Sequence, residues 1–143
     1  DIMSDNKKIC GILIENMVKQ NSIKESVIGI GLNVNQNTFK NLPNATSIKK
    51  IKGVAFNIDE LLNDLVNNIK KHFADYNKSN IDLVFRQYED VLYRINIPST
   101  FKNSEGDIFT GFIKGVSSLG RLKVLLEDNL TKSYTVKDIS LLN

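Results

Sequence analysis

Apolar runs broken by glycine open this chain, two helical stretches follow, and short alternating segments close it. Lys8–Glu15 and Val27–Val34 are dense in aliphatic and β-branched residues and carry Gly11, Gly29 and Gly31. Such runs predict strands, and the polar loop between them predicts an antiparallel hairpin. With Ile14 opposite Val27, the register sets Lys8 opposite Asn33, a cation and a carboxamide at one open end. Strands avoid glycine because it weakens the ladder and leaves nothing to pack. Three on one hairpin admit two readings: bulges in a buried hairpin with a solvated lysine, or a floor on which something flat lies close to the backbone, with Lys8 at its negative end.

Beyond the hairpin, Gln36 to Gly53 is polar and contains Pro43, which predicts an irregular segment along one sheet edge. Leu61, Leu62, Leu65, Ile69 and Phe73 then recur at helical spacing, with Asn57 or Asp59 as the cap and a fade near Tyr76-Asn77. A second helix is predicted from Ile81 to about Leu92. From Tyr93 onward, Arg94–Phe101, Ile108–Val116, Arg121–Leu126, Ser133–Val136 and Ile139–Leu142 alternate and are separated by turn residues, which predicts a small barrel. The fold class is therefore α+β: a partial mixed sheet with helices on one face, followed by a small β-barrel.

Composition narrows the function. The chain has 143 residues, 41% hydrophobic and 24% charged, enough for one core and a small second one. It contains no signal-peptide pattern and no apolar run of the ~18 residues a spanning helix needs, so no membrane role is expected. Cys10 lies within an apolar strand and reads as a small core residue, and a single cysteine fits a reducing cytoplasm. His72, the only histidine, has no second histidine to share a metal site. The net charge of +3 does not indicate nucleic acid: of 19 cations only Arg86, Arg94 and Arg121 are arginine, and the lysines lie in scattered pairs without interleaved aromatics.

Lys8-Ile9-Cys10-Gly11-Ile12-Leu13-Ile14-Glu15, Gly29-Ile30-Gly31-Leu32-Asn33 and the later Ala45-Thr46-Ser47 resemble, in order and spacing, the Lys-x-x-Gly-Ile-Leu-x-Glu, Gly-x-Gly-x-Asn and Ala-Thr-Ser elements of bacterial biotin protein ligases. The resemblance extends more loosely through the tail, where Phe109-Thr110-Gly111-Phe112-Ile113 and Gly120-Arg121-Leu122 are similar to the family's SH3-like C-terminal domain. It implies residues 1–92 as the C-terminal part of a class II synthetase-like catalytic domain and residues 93–143 as an SH3-like barrel. It also implies ATP-dependent conversion of biotin, with Mg2+, to biotinyl-5′-adenylate, and transfer to a lysine of a biotin carboxyl carrier protein. Lys8 and Asp1 would be catalytic. Lys8, Gly11, Ile12, Gly29, Ile30 and Gly31 would line biotin, and Asn33 and Ala45 the nucleotide. Glu105, Asp107 and Arg121 would stand in loops able to meet nucleotide or acceptor.

The family's Gly-Arg-Gly-Arg loop is absent, and Asp1 matches the last residue of the family's Trp-Pro-Asn-Asp. The chain thus reads as part of a longer enzyme, inactive alone, with an unpaired sheet edge that invites a homodimer. Two alternatives stand beside this reading: a lipoate ligase-type acyltransferase, and a non-enzymatic interaction module.

Overall fold

The glycine-bearing runs do pair, along a ribbon longer than the runs themselves. In the computed structural model, which describes residues 1–76 and 80–142, β1 (Ile2–Ser4), β2 (Lys7–Lys19) and β3 (Ser22–Leu32) form an antiparallel sheet in that order. The expected polar loop is strand down to a two-residue turn, Gln20-Asn21, with φ of 51° and 56°. Asp5-Asn6, at 47° and 63°, makes the same kind of turn between β1 and β2. Left-handed pairs match the twist of flanking strands, and asparagine tolerates that conformation.

The register differs from the expected one by a single residue, and the cause lies near the turn. Lys19 pairs with Ser22 and Val18 with Ile23, but Met17 pairs with Glu25, so Lys24 is an extra residue on β3. Beyond this bulge Ile14 faces Ile28, not Val27, and Cys10 faces Leu32. Asn33 consequently meets Ile9, donating its backbone N–H to the Ile9 carbonyl at 2.8 Å. Lys8 pairs elsewhere.

Chain contacts divide the molecule into two compact units, Asp1–Asp75 and Tyr76–Asn143. In the first, the segment expected to be irregular contains a short helix, α1 (Ile48–Lys52). Ser47 caps it by accepting from the Lys50 N–H at 3.2 Å, and Gly53 ends it at φ 77°. α2 (Ile58–Asp75) starts as predicted at Asn57, whose Oδ1 accepts from the N–H groups of Asp59 and Glu60 while Nδ2 donates to the Glu60 carboxylate. Its predicted fade touches Asn77, outside the described residues. Leu61, Leu65 and Ile69 are half-buried at four-residue intervals, but no residue of α2 is buried, and from Ile12 to Gly31 the ribbon is exposed on both faces. The expected helical cover over the hairpin is not formed by α2, since a narrow ribbon offers a helix little width to seat against.

The second unit is built from α3 (Ile81–Asp90), β4 (Pro98–Asn103), β5 (Ile108–Val116), β6 (Leu122–Leu126), β7 (Thr131–Tyr134) and β8 (Ile139–Leu142). All five predicted strands are present. The sheet order is β7-β6-β5-β4-β8, and it stays open, so the expected barrel does not close. β7 and β8 span four residues each and end on opposite edges, with no ladder joining them. The core of this unit is small: Phe101, Ile113 and Val124 are buried, and Phe101, Phe109 and Tyr134 stack in series at 5.5 and 5.8 Å. A bulge at Lys114, followed by Gly115 at φ 125°, lets the Glu89 carboxylate of α3 accept the Val116 N–H at 2.8 Å, in space that a Cβ on Gly115 would occupy. No described helix is long and apolar enough to cross a membrane.

Candidate functional site

The corrected register sorts the hairpin's residues onto two faces. Opposed residues of an antiparallel pair share a face, and neighbours along a strand alternate. Gly11 opposes Gly31 and Leu13 opposes Gly29, so all three glycines lie on one face with Leu13. Ile12 opposes Ile30, Ile14 opposes Ile28 and Cys10 opposes Leu32 on the other face. The structure thus separates Ile12 and Ile30 from the glycines, whereas the expected wall combined them. The glycine face is also unfilled: a Cβ on Gly29 would come no nearer than 3.9 Å to Leu13, and one on Gly31 no nearer than 3.9 Å to the Gly11 carbonyl oxygen. The chain's own packing therefore gives no steric reason for glycine at either position.

Lys8 reaches this face through a second bulge. Ile2 pairs with Cys10 but Met3 pairs with Lys8, so Ile9 is the extra residue. Strict alternation would put Lys8 and Gly11, three residues apart, on opposite faces. The bulge breaks that alternation, as bulges re-aim side chains. Lys8 Nζ and Cε stand 3.4 and 3.5 Å from the place of a Gly11 Cβ. The ammonium thus lies over one end of the glycine floor.

Asp1 Oδ1 meets Lys8 Nζ at 2.8 Å, with the two side chains 54% and 46% exposed. An ion pair this open to water is worth at most about 1 kcal/mol. Lys8 can therefore exchange Asp1 for an anionic ligand at little cost.

A strap crossing from Asn44 to Ser47 holds the backbone behind Lys8. The Lys8 N–H donates to the Asn44 carbonyl at 2.7 Å, and the Thr46 N–H donates to the Lys8 carbonyl at 2.9 Å. Ala45 pairs with Lys8 in parallel, a mixed element beside the antiparallel ribbon. Thr46 and Ser47 are buried, and the Ser47 hydroxyl donates to the Gln36 carbonyl at 2.7 Å. The Asn33 side chain donates to the Thr46 carbonyl at 3.0 Å. The resemblance gives a role only to Ala45 in this segment; the sequence signal for Thr46 and Ser47 is two small hydroxyl residues in succession. Cys10, 2% exposed, is the small core residue expected.

In the second unit, Asp107 accepts from the Asn103 amide at 3.0 Å and helps close the β4–β5 turn. It stands on the rim of a shallow cleft of about 640 Å³ lined also by Phe109, Glu127, Asp128 and Tyr134. The Asp138 carboxyl is held below the usual carboxylate range chiefly by the Thr135 backbone N–H, then by the Thr135 side chain, with a smaller contribution from the Arg121 charge. Among the described residues, no group of three or more His, Cys, Asp or Glu could hold a metal ion.

A hairpin with a lysine over a glycine floor, a buried strap and an open C-terminal sheet make up this α+β chain, and its fold is similar to that of solved biotin protein ligases. The apo biotin protein ligase of Aquifex aeolicus matches it with a TM-score of 0.74 and 22% identity over 98% of this chain and 61% of that one. The same ligase in complex with biotin and ATP matches with a TM-score of 0.72 and 21% identity, over 96% of this chain and 57% of that one. In sequence, the chain is similar to two particular proteins, the bifunctional ligase/repressor BirA of Bacillus spizizenii and that of Bacillus subtilis. Each is 25% identical over 146 residues, covering 99% of the chain and 44% of the relative. The chain therefore spans less than half the length of the curated relatives it matches, and the similarity is to the C-terminal portion of a biotin ligase. No protein-family model matches it.

Proposed function

We propose that the intact protein is a biotin protein ligase that activates biotin with ATP and transfers it from biotinyl-5′-adenylate to a lysine of a biotin carboxyl carrier protein. The observation that carries this reading is the Lys8 ammonium set over a face from which side chains are missing at Gly11, Gly29 and Gly31. A flat ring and its chain can lie on such a face, with the carboxylate at the lysine end. Adenylate formation builds negative charge on carboxyl and phosphate oxygens, and a positioned ammonium stabilises that charge. Lys8 is a compact charge on a flexible stem, able to follow the oxygen as the bond changes. Asp1 restrains the ammonium between turnovers and yields it to the anionic substrate. Mg2+ belongs to the proposal as the companion of the ATP phosphates. A cytoplasmic setting suits the substrates, and the open ribbon edge suits a homodimer of the intact enzyme.

The test is biotin-dependent exchange of pyrophosphate into ATP by the full-length protein. Lys8→Ala should lower the rate by about a hundredfold or more, the scale of losing one oxyanion-type donor. Lys7→Ala, one residue away, should be nearly silent. A Lys8→Ala enzyme with near-normal turnover would remove Lys8 from the chemistry.

A further inference from the structure

Two turns of the C-terminal sheet carry acidic residues, Asp107 between β4 and β5 and Glu127-Asp128 between β6 and β7. Because Gly111 pairs with Leu126, both turns stand at the same end of the sheet. Each is braced by its own side chains. Asn103 Oδ1 accepts from the N–H groups of Glu105 and Asp107 at 3.0 and 2.8 Å, and Asp128 Oδ1 accepts from the Leu130 N–H at 3.0 Å. The carboxylates are therefore offered from fixed backbone. Between the turns runs the cleft of about 640 Å³, with Phe109 and Tyr134 along it, their rings stacked 5.8 Å apart. Of the residues lining it, Lys132 alone is cationic, and among the described residues neither Lys132 nor Glu127 takes part in an ion pair. Three carboxylates against one lysine leave this cleft acidic on a chain of net charge +3.

We propose that this cleft is a docking site for an arginine side chain of a partner protein. Charge selects a cation, since the acidic rim repels phosphate and carboxylate groups. Spacing selects an extended one: among the described residues no three carboxylates come together in a group that could hold a metal ion, so the complementary charge must reach across the cleft. The rings select a guanidinium, which is planar, stacks on aromatic faces and carries five donors in a fork, whereas an ammonium is a compact and strongly hydrated point charge. Glu127 supplies an acceptor that no other described residue uses, since it makes no hydrogen bond and no ion pair. The volume lies within the ~300–1,000 Å³ of ordinary ligand clefts. This site is opposite in sign to the Lys8 face, and the proposal stands whether or not the intact protein ligates biotin.

The experiment titrates the full-length protein, followed by amide NMR, with the blocked tripeptide alanyl-arginyl-alanine and with the same peptide carrying citrulline or lysine in place of arginine. The arginine peptide should shift the amides of Thr110, Glu127 and Tyr134, with a dissociation constant of about a millimolar, the scale of one side chain held by exposed charges and a ring face. Citrulline keeps the shape and loses the charge, so its peptide should bind about tenfold more weakly or worse, and the lysine peptide about threefold more weakly. Glu127→Gln should lower affinity for the arginine peptide about three- to fivefold without changing the melt, because the wild-type carboxylate holds nothing in the fold. Added salt should weaken binding to the wild type. No binding of the arginine peptide, equal binding of the citrulline peptide, full affinity in Glu127→Gln, or shifts confined to residues away from the cleft would overturn the proposal. Equal binding of the lysine peptide would overturn the assignment to a guanidinium.

Discussion

Replacing Gly31 with valine separates a glycine kept for a ligand from one kept for packing. The nearest atom to a Cβ at Gly31 is the Gly11 carbonyl oxygen at 3.9 Å, an ordinary contact, and Gly31 is not among the residues with positive φ. Valine also favours strands and reduces the freedom of the unfolded chain, together worth about 0.5–1 kcal/mol in its favour. Since 1 kcal/mol moves the melting temperature of a unit of this size by about 4–8 °C, Gly31→Val should melt unchanged or a few degrees higher. A biotin ring on the floor would meet the isopropyl group instead of backbone. Overpacking of that kind costs about 1–3 kcal/mol, roughly five- to hundred-and-fiftyfold in affinity. Calorimetric titration of the full-length protein with biotin, alongside a thermal melt, gives both quantities. Gly111→Val is the contrasting control, because its Cβ would stand 2.8 Å from the Leu125 carbonyl oxygen and press on Val124. It should unfold the second unit by packing alone. If Gly31→Val retains biotin affinity with an unchanged melt, the glycine face is not a ligand floor. If it lowers stability and spares affinity, the steric argument fails.

Phe101→Ala should destabilise the second unit by about 3–5 kcal/mol, read by denaturant titration, because Phe101 fills a core of few buried side chains and anchors the aromatic stack. Asp138 has a lowered pKa in the folded chain, so its contribution is present above the pKa of the unfolded chain and is lost as pH falls through the folded value. Asp138→Asn should therefore melt lower than the wild type at neutral pH, and the gap should close on acidification below the usual carboxylate range. A gap constant across pH would place the effect elsewhere. Asn57→Ala, which removes the hydrogen bonds at the start of α2, should cost about 1 kcal/mol of helix stability, seen as a drop in thermal melting.

Much of this arrangement was legible in the chain because local rules govern it. Helical spacing gave α2 and α3, Asn57 gave the cap, and turn residues separated the five C-terminal strands. The elements of the candidate site were legible too, as a lysine, three glycines and the Ala45-Thr46-Ser47 segment in a recognisable order. Their mutual geometry was not, because two bulges decide it and a bulge leaves little trace in a hydrophobic pattern. Lys24 shifts the register so that Gly11 meets Gly31 rather than Ile30, and Ile9 turns Lys8 toward the glycines. The tip of the ribbon looks like a loop in sequence because its alternation serves no buried face: Met17, Val18 and Ile23 are all more than 60% exposed. α1 escaped because five residues between Ser47 and Gly53 are too few to show periodicity.

The extra residue at Lys24 makes the ribbon a sliding scale with two settings. From the turn to Val18 the chain runs in one register, and from Met17 onward in the next. Deleting Lys24 would carry the first register along the whole hairpin, and because strand faces alternate with a period of two, every opposed pair would be recombined. Gly11 would then stand across from Ile30 and Leu13 from Ile28, so a residue far from Lys8 in the ribbon, exposed and without chemistry of its own, sets whether a bare face exists at all. Insertions and deletions near Gln20-Asn21 should accordingly be read not as harmless loop variation but as changes to what the opposite end of the hairpin can hold.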